Sequence, residues 1–214
     1  MTREELLKIA KPILFNTDMV RATLDERKTA TRRVLKQPFE IHPNGYITKP
    51  RGNERLCLYE PPYRPGDILY VRESVFQGVG HYLDVSGETI EFLTDDFEYY
   101  ADGKHKKGHW KDKHEHVWMN RRPSIHMPKE AARIFLKVKD VRVERLQDIT
   151  DVGAEKEGAQ PNNPCDYDVQ QWPNKEHFKK IWNSTIKKSD LDLYGWDANP
   201  WVWVIEFEKL EVEQ

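Results

Sequence analysis

Cysteine is scarce in this sequence. Its two copies, Cys57 and Cys165, lie far apart and form no CxxC pair. That excludes a disulfide-stapled scaffold and a cysteine-based zinc site, and predicts reduced thiols. Long apolar runs are missing as well. The longest, Trp201 to Ile205, falls far short of the roughly 20 residues a membrane-spanning helix needs. Residues 1 to 11 mix Arg3, Glu4, Glu5, Lys8 and Lys11 with their apolar neighbours, unlike a signal peptide. A cytoplasmic protein with no membrane partner is the expectation. Neither sign of charge dominates: 34 Lys and Arg against 36 Asp and Glu leave a formal charge of -2. Nucleic-acid binding would therefore have to come from a local basic patch and not from a bulk field. The chain also lacks internal repeats and low-complexity tracts.

What is present supports a folded protein. At 214 residues, 38% hydrophobic and with seven Trp, the chain is long enough to bury about 70% of its unfolded surface. Its large aromatics either fill that core or meet a flat ligand. The densest basic stretch is Glu26-Arg27-Lys28-Thr29-Ala30-Thr31-Arg32-Arg33. It follows a short amphipathic segment, Thr17 to Asp25, which Asn16 or Thr17 can cap. As a strand it alternates, with Thr29, Thr31 and Arg33 on one face and Lys28, Ala30 and Arg32 on the other. A bend at the helix–strand junction would bring Lys28 beside Thr31. A lysine next to a hydroxyl, with arginines near, suits an anionic or carbonyl-bearing ligand. Taken alone, the stretch reads equally as a basic strand edge that discourages edge-to-edge pairing.

The remaining elements follow in order. Residues 1 to 11 form a short helix or arm, and Pro12 to Phe15 a brief buried strand. Between Gln37 and Pro65 the density of Pro and Gly predicts irregular connecting loops around short extended pieces. Arg64-Pro65-Gly66-Asp67 is a turn that launches a strand. In it Ile68, Tyr70 and Arg72 share one face, and Leu69, Val71 and Glu73 the other. Residues 84 to 120 turn from acidic and aromatic to rich in Lys and His, which predicts an inserted loop or hairpin. Its histidines lack a recognised ligand pattern and sit among lysines that would repel a cation, so neither a metal nor a cofactor is called for. Arg133 to Leu146 is a long strand whose apolar positions change parity near Lys139-Asp140, as at a bulge. Thr150 caps a short helix that carries Glu155 and Glu157 and ends at Gly158. Phe178, Ile181, Trp182 and Thr185 form one helical stripe, and Trp201 to Glu208 alternate strictly.

In this order the pieces resemble the ASCH family, a PUA-like β-barrel group. The resemblance rests on Lys28-Thr-Ala-Thr31-Arg32-Arg33, on Arg64-Pro-Gly-Asp-Ile-Leu-Tyr-Val-Arg72-Glu73, on Leu146 to Thr150 leading into Ala154-Glu-Lys-Glu-Gly158, and on the closing Trp203-Val-Ile-Glu-Phe207 strand. It covers most of the chain outside 84–120, and extends to ASCH proteins of phages and prophages. The family's Gly-x-Lys-x-x-Thr-x-Arg signature falls on Glu26, Lys28, Thr31 and Arg33, with Glu26 departing from the usual glycine. The fold implied is a single α+β domain over residues 1–214: a small PUA-like β-barrel with flanking short helices and a long rim insertion.

The function implied is that of a nucleic-acid or nucleoside-binding protein. Some small members remove the acyl group from N4-acetylcytidine with a Lys, a Thr and a Glu. By motif position these are Lys28, Thr31 and Glu157, with Glu155 the alternative to Glu157. A desolvated lysine whose pKa is lowered by neighbouring arginines activates the hydroxyl or a water, and the glutamate orients it or shuttles the proton. A non-catalytic RNA- or DNA-binding or adaptor module would use the same residues differently. Arg32, Arg33 and Arg72 would meet phosphates. Tyr70, Trp118 or Trp196 would stack a base, and Glu73 and His126 would line the cleft. A ribonuclease ranks third, because no two-histidine pair stands at a convincing spacing.

Overall fold

The computed structural model describes the chain apart from residues 45, 52–54, 104–108, 111–116, 160–173 and 213–214. Most of the Lys- and His-rich part of the insertion, and Cys165, lie outside the described residues. Two compact units are formed, each from non-contiguous segments: Met1–Glu26, Ile68–Lys137 and Lys209–Gln214 in the first, Arg27–Asp67 and Val138–Glu208 in the second. The class is mixed α+β, mostly strands with few and short helices. Among the described residues the sheets are open, and none closes on itself.

In the first unit, α1 (Arg3–Ile9) starts with a capping box, in which Thr2 and Glu5 each satisfy the other's backbone donor. β1 (Lys11–Leu14) follows. Asn16 then accepts from the Met19 amide at 2.9 Å and caps α2 (Thr17–Leu24). β1 pairs in parallel with β6 (Ile68–Arg72), which pairs antiparallel with the first residues of β11 (Phe135–Arg145). The Pro-Gly turn ahead of β6 has Gly66 at φ 91, a conformation that glycine adopts without a Cβ clash. Leu6, Tyr70, Val75, Met127 and Phe135 form this unit's buried cluster.

A four-stranded sheet follows β6. β7 (Val75–Leu83) turns at 84–88 into β8 (Thr89–Tyr99), and on its other side β7 pairs with β10 (Val117–Arg122), which is flanked by the two-residue β9 (His109–Trp110). Val75 to Phe76 carry no strong sequence signal beyond the preceding turn, and Gly78 and Gly80 lower strand propensity further. Here the glycines leave room for the partner strand: a Cβ on Gly80 would stand 2.4 Å from the Phe92 ring.

In the second unit, β12 (Trp201–Lys209) lies between β11 and β2 (Ala30–Val34), and its pairing with β2 is antiparallel. The Pro-dense region is more ordered than its composition suggests. β3 (Glu40–Ile41), β4 (Ile47–Arg51) and β5 (Arg55–Leu58) pair into a three-stranded antiparallel sheet. Short strands tolerate such prolines because this sheet has few ladder bonds to lose. Thr150 accepts from the Gly153 amide at 3.0 Å and caps α3 (Asp151–Lys156), and α4 (Asn174–Thr185) and α5 (Leu191–Tyr194) follow.

β12 is buried on both faces over most of its length. Val202 and Val204 join Leu146, Ile149, Phe178, Trp182 and Trp196 in a single cluster. The helices bury the second face, which polar spacing alone does not foretell.

A candidate site around Lys28 and Glu157

Backbone geometry delivers Lys28 to its place. Glu26, at the position where the family signature has glycine, adopts φ 62, the left-handed conformation that glycine would supply. The chain then leaves α2 and enters β2. Lys28 forms an isolated antiparallel bridge with Glu157, which caps the C-terminus of α3, and the Thr29 amide donates to the Lys156 carbonyl at 2.8 Å. Gly158, at φ 83, turns the chain away directly after Glu157.

The Lys28 side chain is fully buried. Its Nζ donates to Glu157 Oε2 at 2.7 Å, to the Ala30 carbonyl at 2.8 Å and to the Glu157 carbonyl at 3.0 Å. Burial pushes the ammonium below its ordinary value, the Glu157 carboxylate opposes that, and Arg33 and Arg32 add to the lowering. The second carboxylate oxygen, Oε1, accepts from the Arg32 guanidinium at 3.2 Å.

Arg32 reaches on to Glu144 at 3.4 Å. From Glu144 an ion chain runs through Arg142 to Glu206 and Lys156, with contacts of 2.5, 2.7 and 3.2 Å. The spacing of single motifs could not reveal this chain. Its members come from β2, β11, α3 and β12, and only sheet register makes them neighbours. It flanks a cleft of about 150 Å³ to which Thr150 and Gly153 also contribute.

Thr31 lies three residues from Lys28 and next to Ala30, whose carbonyl holds the ammonium. Its hydroxyl is buried and has no hydrogen-bond partner among the described residues. Register fixes its surroundings: Ile205 stands opposite Thr31 and Trp203 opposite Arg33. Thr31, Arg33, Trp203 and Ile205 therefore share one face of β2 and β12, while Ala30, Arg32, Val204 and Glu206 share the other. Burial lowers the Arg33 guanidinium from its ordinary value against the opposing charges of Glu157 and Tyr63, and it stays charged at any working pH.

The structure thus joins Lys28, Glu157 and Arg32 directly. Arg33 is close enough for its charge to act on Lys28 and Glu157, whereas the Thr31 side chain leaves β2 on the face opposite Arg32 and its hydroxyl makes no hydrogen bond to the pair. Glu155, the alternative acid, points elsewhere and accepts from the Asn174 amide at 2.7 Å. Trp196 belongs to the second unit's core, edge-on to Phe178 at 6.2 Å. The other candidates lie in the first unit. Tyr70 is part of its core, Arg72 donates to the Ile125 and Met127 carbonyls, Trp118 is half-buried on β10, and His126 is exposed on a 3₁₀ turn. Glu73 is buried and bound by Arg133 at 2.8 and 3.0 Å. Burial raises its pKa against that pairing. Arg133 also contacts Asp102 at 2.9 Å and stacks over Tyr99, forming a second charge cluster around the buried Glu73, without a sequence signature.

Compared with family models, curated proteins and solved structures, the chain shows no significant match to any of them. No helix among the described residues is long and apolar enough to cross a membrane.

Proposed function

We propose that this is an ASCH-type, PUA-like protein that hydrolyses N4-acylated cytosine nucleosides at the Lys28 site. The observation that carries the reading is the fully buried Lys28 ammonium, 2.7 Å from Glu157 and next in space to the carbonyl preceding an unpartnered Thr31 hydroxyl. Desolvation favours the neutral amine, and Glu157 takes up the proton that Lys28 gives away. The amine then accepts a proton from Thr31 or from a water, and the resulting oxygen nucleophile attacks the acyl carbon; where that oxygen is Thr31's, a water then hydrolyses the acyl–Thr31 ester and frees the hydroxyl. As the C–N bond breaks, the proton passes to the departing N4 amine. A water oxygen ends in the carboxylic acid and the cytosine amine is restored. Arg32 holds Glu157 in place from its second oxygen, and Arg33 lies on the Thr31 face as an anion contact.

A second reading, a nucleic-acid-binding module without catalysis, is favoured by the satisfaction of Lys28 itself. Three acceptors around one ammonium suit a structural ion pair at least as well as a base. Incubation with N4-acetylcytidine, with cytidine and acetate as the products followed, separates the two. The informative variant is Thr31→Val, which keeps the shape and removes a buried hydroxyl that has no partner. It should keep or raise stability, by about 1 kcal/mol at most, while turnover is lost. Full turnover in Thr31→Val, or no cytidine from the wild type, sinks the catalytic reading.

A further inference from the structure

The face of β2 and β12 that bears Thr31 and Arg33 continues into a second feature that the deacylation chemistry does not use. A cleft of about 560 Å³ opens between the three-stranded sheet and the inner strands of the same unit. Ile47 and Leu58 line it from the small sheet, and Val141, Val143, Trp201 and Trp203 from β11 and β12. Tyr46 and Leu58 stand at the opening, 59% and 56% exposed, in a position no core contact requires. A slot of this volume with opposed apolar walls fits a flat ring system.

A smaller cleft of about 350 Å³ adjoins the slot, with Tyr59, Glu60 and Trp203 lining both. That cleft is basic. Arg33 and exposed Lys36 line it, and Lys49 adds a cation 4.5 Å over the Tyr59 ring. The one acid in this lining, Glu60, is paired with Arg64 at 2.9 Å; Glu157 partly offsets Arg33, and exposed Lys36 adds a second cation.

We propose that these adjoining clefts bind a planar aromatic anion, its ring between the small sheet and Trp201/Trp203 and its phosphate or carboxylate at Arg33 and Lys36. Charge complementarity selects the anion, and the two apolar walls select the ring. Nucleoside monophosphates and aryl carboxylates share this chemistry. The site shares Arg33 with the hydrolytic reading, but binding there needs neither Lys28 nor Glu157.

Isothermal titration calorimetry of the intact protein tests it, with cytidine and adenosine 5′-monophosphates, 1-naphthoate and neutral adenosine as probes. At least one aromatic anion should bind saturably below about 1 mM, and which arm succeeds identifies the source as nucleotide or carboxylate. Neutral adenosine should bind at least about threefold more weakly than its monophosphate, by analogy with the loss of one exposed ion pair. Two surface variants that do not threaten the fold localise the site. Tyr46→Ala should weaken binding at least about fivefold, as expected on removing a stacking ring, and Lys36→Glu should weaken the anions but not adenosine. Absence of saturable binding by every anion, or affinities unmoved by both variants, overturns the proposal. Because the readout is binding, a protein that fails to deacylate N4-acetylcytidine leaves this test intact.

Discussion

Replacing Glu157 by Gln is the sharpest perturbation of the buried pair. The shape is kept, but Lys28 is left as a fully buried ammonium facing the Ala30 and Glu157 carbonyls and an amide in place of the carboxylate. Removing one partner of such a pair costs about 3–5 kcal/mol. The structure also sets a ceiling. Lys28 can escape the penalty by giving up its proton, and from an ordinary value of 10.5 that costs about 1.36 kcal/mol per pH unit, or about 5 kcal/mol at pH 7. At pH 9.5 the same escape costs only about 1.4 kcal/mol. The sign follows from linkage. The folded pKa lies below the unfolded one, so the unfolded chain holds more protons, and stability rises with pH up to about 10.5. Urea denaturation of Glu157→Gln against wild type should therefore show a loss of about 3–5 kcal/mol at pH 7 that shrinks below about 2 kcal/mol at pH 9.5. A loss under 1 kcal/mol at pH 7, or one that does not change between the two pH values, would refute a charged and desolvated Lys28.

Two further outcomes follow from the backbone and from the first unit's charge cluster. Glu26→Gly should leave stability unchanged or raise it by up to about 1 kcal/mol, because the left-handed φ of 62 strains any residue with a Cβ and the Glu26–Lys209 contact is exposed. A loss above about 1 kcal/mol in chemical denaturation would show that the contact outweighs the strain. Glu73 has its pKa raised by burial, so the folded state holds its proton more tightly than the unfolded chain. Its contribution is full below about 4.5 and is lost as pH climbs through the folded value. Glu73→Gln, which lacks that titration, should gain on wild type between pH 4.5 and 7 when urea midpoints are compared. The reverse trend would mean that the Arg133 pairing dominates.

Local signals in the chain were direct readings of local physics. Asn16 and Thr150 sit at the helix starts their side chains predict, and Pro65-Gly66 marks a turn because only glycine accepts its φ without cost. The spacing of Lys28 and Thr31 was legible in the same way, since both lie within one short stretch. The glutamate was legible only through the resemblance. Composition cannot choose between Glu155 and Glu157, and the choice falls to the cap geometry of α3, which turns one carboxylate toward Lys28 and the other toward Asn174.

The short extended pieces of the Pro-rich region were legible, but not their pairing, because proline density is a property of sequence, whereas β3–β5 form a sheet by pairing with one another. β7, with its two interior glycines, was hidden for the same reason. Trp196 and Tyr70 show the opposite limit: an aromatic residue that fits a stacking role in sequence is claimed by whichever core surrounds it.

By itself the sequence determined the caps, the turns, the alternating final strand and the basic stretch with its lysine and hydroxyl, because each depends on neighbours a few residues away. Tertiary structure alone decided that Lys28 loses all contact with water, that Arg32 links Glu157 to Glu144, and that Thr31, Arg33 and Trp203 share a face. Desolvation, pairing and register are set by residues far apart in the chain, and they turn a basic strand into a site.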